Sequence, residues 1–310
     1  MQPSRRQILT GTLAALVAAF APAARAAGGS TFRRIYGDPA LRKRFFPFLV
    51  NVFHLVPEDE LDALIARSVE AHGDDPSIYQ AIVEGLPAIT PFAATLRYSL
   101  PALRVQKQVL GDQTVELLSG VDAIDGYLEL GTVGTYIEPL KQRVSVRGPV
   151  VLLTDVEPGY GPAEIVQRGT LRPNATFVPL GNYDPIPREA VADGSLDLVT
   201  SFIGFHHAPL DRLEGIVESV HRVLRPGGRL VVREHDVIDD DIHEIVALAH
   251  DVFNAGTYVA VDRNEAELRH FRSVEAWTAF YDGFGLRRAE GHALQEGDPT
   301  DNALVCFVKA

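Results

Sequence analysis

The sequence predicts an α/β fold, a Rossmann-like doubly wound and mostly parallel sheet with an antiparallel final strand, preceded by a helical cap region. Three observations predict it. After Gly126, short apolar runs alternate with helical patterns, as in βαβ units. Before Gly126, apolar residues recur every three or four positions, as on one face of a helix. The last two runs, Leu286 to Gly291 and Ala303 to Lys309, have no helix between them and predict a hairpin-type ending.

Composition narrows the class of protein. The chain has 310 residues, of which 46% are apolar and 23% charged, as in ordinary folded proteins. Its formal charge of −12 argues against a nucleic-acid partner, because such surfaces depend on clustered Lys and Arg. Cys306 is the only cysteine, so no intrachain disulfide can form.

The first 26 residues predict a targeting signal. They contain Arg5-Arg6, an apolar run from Ile8 to Ala21, and Ala24-Arg25-Ala26, the layout of a cleavable export signal. The twin arginines resemble the signal of the bacterial Tat pathway. We therefore expect export to the periplasm, or a membrane tether through this segment if the signal is not cleaved. The apolar run is too short to span a bilayer.

Residues 27–125 form the predicted helical cap region. One helical face carries apolar residues at three- and four-residue spacing: Leu41, Phe45, Leu49, Val52 and Val56. Pro57 and the acids after it begin a second helix, and Asp75-Pro76 begins a third. The aromatic residues Phe45, Phe46, Phe48 and Phe53 could line a pocket, but core packing is the favoured interpretation.

Residues 126–310 form the predicted Rossmann-like domain. Its parallel strands are predicted at Tyr127 to Leu130, Val150 to Thr154, Thr176 to Pro179, Leu196 to Ser201 and Arg229 to Glu234. The clearest helices run from Pro209 to Leu224 and from Asp239 to Ala255. Aromatic residues at helical spacing follow Ser273 and are predicted to pack in the core: Trp277, Phe280, Tyr281 and Phe284.

Polar residues follow every predicted parallel strand. Ligands of such sheets lie beyond the carboxyl ends of the strands, so we expect these residues to form one site. The candidates are Glu129 at the end of the first strand with Gly131 and Gly134 after it, Asp155 after the second, Asn182 after the third, His206 and His207 after the fourth, and His235 and Asp236 after the fifth. An acid after the second strand, here Asp155, is suited to hold ribose hydroxyls.

These features resemble the class I S-adenosylmethionine-dependent methyltransferases, in particular the methyltransferase type 11-like domain. The segments that carry the resemblance are Tyr127 to Gly131, Asp155, Gly194 to Ser201 with the following His206-His207, and His221 to Val232. The resemblance implies that Glu129 and Gly131 border the methionine part of the cofactor S-adenosylmethionine, with Gly134 in the same loop. It implies that Asp155 borders the ribose and Asn182 the adenine.

The glycine loop departs from the family pattern E-x-G-x-G-x-G, since Val133 and Thr135 stand where the pattern has its second and third glycines. This leaves two functional hypotheses. The first is a methyltransferase acting on a small-molecule or lipid-like acceptor. The second is a non-catalytic exported binding protein that kept the fold and lost the cofactor. An NAD-dependent enzyme is a weak third hypothesis, because the pattern G-x-G-x-x-G is absent.

Three histidines are the candidate catalysts, because imidazole is a suitable base for a methyl acceptor that carries a proton. They are His206, His207 and His235, for each of which a purely structural role is the alternative. A metal site around Arg233 to Asp236 and the acids after it is a rival hypothesis. No metal site is predicted, since that cluster lacks a recognised ligand spacing.

Overall fold

The computed structural model describes residues 29–91 and 98–310. The predicted export signal lies outside the described residues. The chain divides into two compact units. The helical unit comprises the described parts of Met1–Val105 with Val237–Arg269 and Gln295–Asn302, and the sheet unit comprises Gln106–Asp236, His270–Leu294 and Ala303–Ala310. The predicted domain boundaries at 26/27 and 125/126 stay predictions.

The sheet unit is built on strands in the order β3-β2-β1-β4-β5-β8-β6, with β7 paired to β8. Their bounds are β1 Ala123–Leu130, β2 Ser145–Thr154, β3 Thr176–Pro179, β4 Leu196–Ser201, β5 Leu224–His235, β6 Leu286–Arg288, β7 Ala293–Leu294 and β8 Asn302–Lys309. The pairs β2 to β3, β1 to β2, β1 to β4 and β4 to β5 are parallel. Strand β8 runs antiparallel to β6 and β7. The predicted doubly wound sheet with an antiparallel final strand is confirmed.

Strand order reverses between β1 and β4, where the chain turns back from β3 to the other side of β1. In open α/β sheets this switch point is where a crevice forms at the carboxyl ends of the strands. The sheet unit contains the part of helix Leu100–Leu118 that begins at Gln106. Its other helices are Ile137–Lys141, Pro162–Arg168, Leu210–Val223 and Val274–Asp282, with a 3₁₀ turn at Phe205–His207. The fold thereby places the ends of β1 and β4 beside the residues that the sequence singles out.

The core of the sheet unit explains why these runs form strands. Successive residues of β1 and β4 are buried almost continuously, as expected for strands covered on both faces. Helix Leu210–Val223 buries one apolar face, which includes Leu213, Ile216 and Val220. Trp277 and Tyr281 are buried as predicted, with stacked rings 5.7 Å apart.

The helical unit contains helices Thr31–Gly37, Pro39–Phe48, Glu58–Ala71, Asp75–Ile89, Asp240–Gly256 and Val261–Ala266. Asp38, Asp74 and Asp239 accept hydrogen bonds from backbone amides at the starts of three of them, which satisfies otherwise unpaired donors. Phe45, Phe48 and Phe53 are buried in this unit's core, which confirms the core interpretation of the aromatic cluster. Among the described residues, no helix is long and apolar enough to cross a membrane.

Several predicted bounds differ from the structure. Strand β1 begins at Ala123 and β2 at Ser145, earlier than predicted, since Asp125-Gly126 in β1 and Arg147-Gly148 in β2 interrupt the apolar pattern. Strand β5 begins at Leu224, earlier than the predicted Arg229. The segment Pro226-Gly227-Gly228 is accommodated within the strand by a register irregularity opposite Leu196 to Leu198 of β4. The predicted single helix after Asp38 changes to a π-helix at Leu49–Phe53.

Candidate active site at the carboxyl ends of the strands

The loop after β1 is organised by the carboxylate of Glu129. The Tyr127 hydroxyl donates to this carboxylate at 3.0 Å and the Tyr136 backbone N–H donates at 3.2 Å. The Thr132 hydroxyl also donates to it. Glu129 is fully buried, and this burial raises the pKa of its carboxyl group above the ordinary value. Its carboxylate is therefore directed at the loop itself, and it shapes the site without facing a ligand in this conformation.

Gly131 is the first residue after β1 and adopts a backbone conformation that favours glycine. Its φ is +83°, and a Cβ there would lie 2.1 Å from Cδ1 of Ile203. Its N–H donates to the Leu153 carbonyl oxygen at 2.7 Å, which ties the loop to the end of β2. The backbone of the loop is therefore held close to the ends of β2 and β4, as a ligand-cradling loop requires.

Asp155 and Asn182 lie together beyond β2 and β3. The Asn182 N–H donates to the Asp155 carboxylate at 3.5 Å, and the backbone amide of Gly181 also donates to it. Asn182 and Tyr183 have φ values of +57° and +63°, a strained conformation for residues other than glycine that is concentrated at functional sites. Partial burial raises the pKa of the Asp155 carboxyl group. Because the side chain is only partly buried, the carboxylate can also accept hydrogen bonds from a ligand.

Two of these polar atoms fit a nucleoside. Asn182 Oδ1 is buried and has no hydrogen-bond partner among the described residues, which makes it a free acceptor for an exocyclic amine. The Asp155 side chain is partly exposed and offers acceptors for a pair of ribose hydroxyls. The arrangement supplies an acceptor for a base near an acceptor for a sugar, at the carboxyl ends of the strands, where open α/β sheets bind their ligands.

The rest of the glycine loop is packed closed. Val133 and Tyr136 are 6% and 8% exposed. The Tyr136 ring packs edge-to-face on Phe202, with ring centroids 4.5 Å apart. Helix Ile137–Lys141 begins after the loop and carries Pro139 in its first turn. The part of the loop that differs from the family pattern is thus filled by side chains.

The three candidate histidines lie together beyond β4 and β5. The His206 ring centroid is 4.1 Å from that of His207 and 5.4 Å from that of His235. Phe271 lies 5.3 Å from His206 and 5.7 Å from His235, which closes one side of the cluster. His206 and His235 are buried, whereas His207 is partly exposed. His207 is therefore the member that a ligand can reach most directly.

Glu234, at the end of β5, holds His206 in place. Its Oε2 lies 2.6 Å from Nδ1 of His206, and the Phe205 N–H donates to the same carboxyl group. Burial raises the pKa of Glu234 to about 8. The sequence pointed to Glu234 only as part of a possible metal site between Arg233 and Asp236, which was not predicted. The signal that could have found this pair is that β4 and β5 are adjacent, so an acid ending one strand meets a histidine following the other.

Gly204 makes room for the His206 ring, and its replacement should disturb the cluster. Its φ is +78°, and a Cβ would lie 2.4 Å from Nδ1 of His206. We expect Gly204→Ala to lower the free energy of unfolding by ~1–3 kcal/mol for the backbone conformation, with φ of +78° and ψ of 152°, and by a further ~1–3 kcal/mol for overpacking against the His206 ring. Gly120→Ala is the matched control, with φ of +76° and open space around its Cβ. Urea denaturation measures the free energy of unfolding of both variants. Equal losses in the two variants would contradict the packing claim.

The structure therefore forms two groups from the predicted site residues. The first group surrounds the ends of β1 to β3 and comprises Glu129, Gly131, Gly134, Asp155 and Asn182. The second group surrounds the ends of β4 and β5 and comprises His206, His207 and His235. Asp236 belongs to neither group. Its carboxylate accepts a hydrogen bond from the Val274 N–H at 2.7 Å, at the start of helix Val274–Asp282.

Comparison with known proteins gives one family match. Residues 165–232, less than half of the chain, match the model of a methyltransferase domain. No curated protein sequence matches the chain.

Solved structures with a similar fold include three methyltransferases or biosynthetic proteins. The 1,6-didemethyltoxoflavin-N1-methyltransferase of Burkholderia thailandensis, solved with S-adenosylhomocysteine, is 13% identical, with a TM-score of 0.44 over 67% of this chain and 79% of that one. The pyocyanin biosynthetic protein PhzM is 14% identical, with a TM-score of 0.48 over 88% and 74%. Mitomycin 7-O-methyltransferase MmcR is 17% identical, with a TM-score of 0.44 over 90% and 71%. At these identities no activity or substrate transfers to the present chain.

Proposed function

We propose that this protein is an S-adenosylmethionine-dependent methyltransferase acting on a small-molecule or lipid-like acceptor. One observation carries the proposal: the partly exposed Asp155 carboxylate accepts a hydrogen bond from the backbone N–H of Asn182, whose buried side-chain oxygen has no hydrogen-bond partner among the described residues. The methyltransferase domain match over residues 165–232 supports the same activity. The cofactor supplies an electrophilic methyl group.

Each residue of the first group has a proposed role toward that cofactor. Asp155 accepts hydrogen bonds from the ribose hydroxyls, and Asn182 accepts one from the adenine amine. Gly131 lets the backbone approach the methionine part, with Gly134 following in the same loop. Glu129 acts through the loop, because its carboxylate is fully engaged by Tyr127, Thr132 and Tyr136.

We assign the role of general base to His207. It is the partly exposed member of the histidine cluster, whereas His206 and His235 are only 4% and 7% exposed. A base must reach the proton of the acceptor within hydrogen-bond distance, directly or through one water. An acceptor hydroxyl would give its proton to an imidazole nitrogen of His207 as its oxygen takes the methyl group. His206 is oriented by its hydrogen bond with Glu234, and its ring packs against the His207 ring.

Replacing His207 should separate methyl transfer from cofactor binding. We expect His207→Ala to lower the transfer rate by about 10²–10⁴-fold, the usual contribution of a general base. Affinity for S-adenosylhomocysteine should stay unchanged. The measurement follows a labelled methyl group from the cofactor into an extract of small molecules and lipids. His292→Ala, at an exposed histidine outside the cluster, is the control and should keep full activity. Full activity in His207→Ala would contradict the assigned role.

A second candidate function is favoured by the closed part of the glycine loop. Val133 and Tyr136 are buried there, as expected for a non-catalytic binding protein that kept the fold and lost the cofactor. The export signal predicted at residues 1–26 suits this candidate too. The two candidates differ in one observable: the methyltransferase binds S-adenosylhomocysteine, and the binding protein does not.

A further inference from the structure

We propose that His206 and His235 bind a divalent transition metal at the carboxyl ends of β4 and β5, with Glu234 orienting His206. The site requires only the fold of the sheet unit and does not depend on the proposed methyl transfer. It revises the sequence-based expectation that the protein has no metal site.

The two imidazoles lie slightly farther apart than two ligands of one metal ion do. Their closest ligand nitrogens lie within 4.8 Å of one another, and their ring centroids are 5.4 Å apart. Zinc binds imidazole nitrogen at ~2.0–2.1 Å, so two nitrogens on one ion are at most ~4 Å apart. A rotation of one ring that moves its nitrogen by about an ångström brings the two nitrogens to the distance that one ion requires. Imidazole suits Zn²⁺, Cu²⁺ and Ni²⁺ better than Mg²⁺ or Ca²⁺.

Glu234 supplies the hydrogen bond that metal-binding histidines almost always make. Such a histidine donates its second ring N–H to a carboxylate or carbonyl, which fixes the tautomer and aims the other nitrogen at the ion. Here Nδ1 of His206 lies 2.6 Å from Oε2 of Glu234. The proton then resides on Nδ1, and Nε2 becomes the ligand atom. The Glu234 side chain is 1% exposed, so the pair is shielded from solvent.

The backbone around His206 is fixed from several directions. The Phe205 N–H donates to the Glu234 carboxyl group. The His270 N–H donates to the His206 carbonyl oxygen at 2.8 Å. Phe271 packs against both imidazoles, with centroid distances of 5.3 and 5.7 Å. A pre-positioned ligand pair binds an ion with little reorganisation, and the remaining coordination positions can be taken by water or another donor.

Titration of the full protein with metal tests the proposal. The protein is first treated with EDTA and then titrated with ZnCl₂ by calorimetry and with CoCl₂ by visible absorption. We expect about one ion per chain with a Kd in the micromolar range or below. The Co²⁺ form should show ligand-field bands of nitrogen coordination. X-ray absorption of the Zn²⁺ form should show imidazole scattering, which tests the wild-type protein without any variant.

Variants then locate the ion. His206→Ala and His235→Ala should each weaken binding by at least 100-fold, and Glu234→Gln by about 10-fold or more, the usual effect of losing such a hydrogen-bonding partner. His292→Ala should bind as the wild type does. Circular dichroism verifies that each variant is folded.

Two results would overturn the proposal. One is the absence of saturable binding, or of imidazole scattering, in the wild type. The other is folded His206→Ala and His235→Ala variants that bind metal as tightly as the wild type, which would place the ion elsewhere. Either result leaves the proposed methyltransferase function standing, because that function is tested with S-adenosylhomocysteine and without metal.

Discussion

Asp155→Ala should weaken the binding of S-adenosylhomocysteine by at least about 100-fold. The carboxylate is expected to accept two hydrogen bonds from the ribose, and each hydrogen bond to a charged group contributes ~1.5–3 kcal/mol. A loss of ~3 kcal/mol corresponds to slightly more than two factors of ten in affinity. Calorimetric titration of wild type and variant measures the ratio of the two dissociation constants.

Two comparisons separate a ribose contact from general damage to the site. Asp155→Asn keeps the shape and one acceptor oxygen, and should lose about 10-fold. 5′-Methylthioadenosine contains the ribose but no amino acid, so its affinity should fall in Asp155→Ala by the same factor as that of S-adenosylhomocysteine. Loss of affinity for S-adenosylhomocysteine alone would contradict the ribose assignment. Unchanged affinity for both ligands would remove Asp155 from the site.

Glu129→Ala should lower the free energy of unfolding by ~3–6 kcal/mol. The substitution leaves the Thr132 hydroxyl and the N–H groups of Thr135 and Tyr136 buried without the Glu129 acceptor. The Tyr127 hydroxyl keeps its hydrogen bond with Thr200 Oγ1 at 2.8 Å. Each such donor costs ~1–3 kcal/mol, and a native protein is stable by only ~5–15 kcal/mol. In a protein of this size the thermal midpoint should fall by roughly 5–9 °C. Thermal and urea denaturation give the two values.

The controls for Glu129 use its partners and its charge. Tyr127→Phe removes one donor and should cost ~1 kcal/mol. Burial raises the pKa of Glu129 from 4.5, so the wild type gives up stability as pH rises from that value through the raised pKa. Glu129→Gln lacks this titration, and its deficit relative to wild type should shrink over the same range. An unfolding free energy for Glu129→Ala within 1 kcal/mol of wild type would contradict the loop-organising role.

The centre of the sheet was predictable because β1 and β4 are buried along most of their length. The predicted β3 and β4 have the same bounds as the observed strands, since both are compact apolar runs. The starts of β1 and β2 were not predictable from hydropathy, because their first residues are exposed or alternate in exposure. The π-helix at Leu49–Phe53 had no sequence signal, since its residues continue the helical spacing.

The site was predictable in position more than in detail. Strand ends placed Asp155 beside Asn182 and gathered the three histidines, because parallel strands end at one edge of a sheet. The direction of the Glu129 carboxylate was not predictable, because it depends on hydrogen bonds from the loop and from Tyr127. The contact of Glu234 with His206 required knowing that β4 and β5 are neighbours and in which register they pair.

Calorimetric titration of the wild-type protein with S-adenosylhomocysteine tests the central claim most directly. The proposed methyltransferase should bind about one molecule per chain with a Kd of roughly 1–100 μM. The thermal midpoint should rise with ligand concentration, because the ligand stabilises only the folded protein. No heat of binding and no rise in the midpoint at millimolar ligand would contradict the claim, and would favour the binding protein that has lost its cofactor.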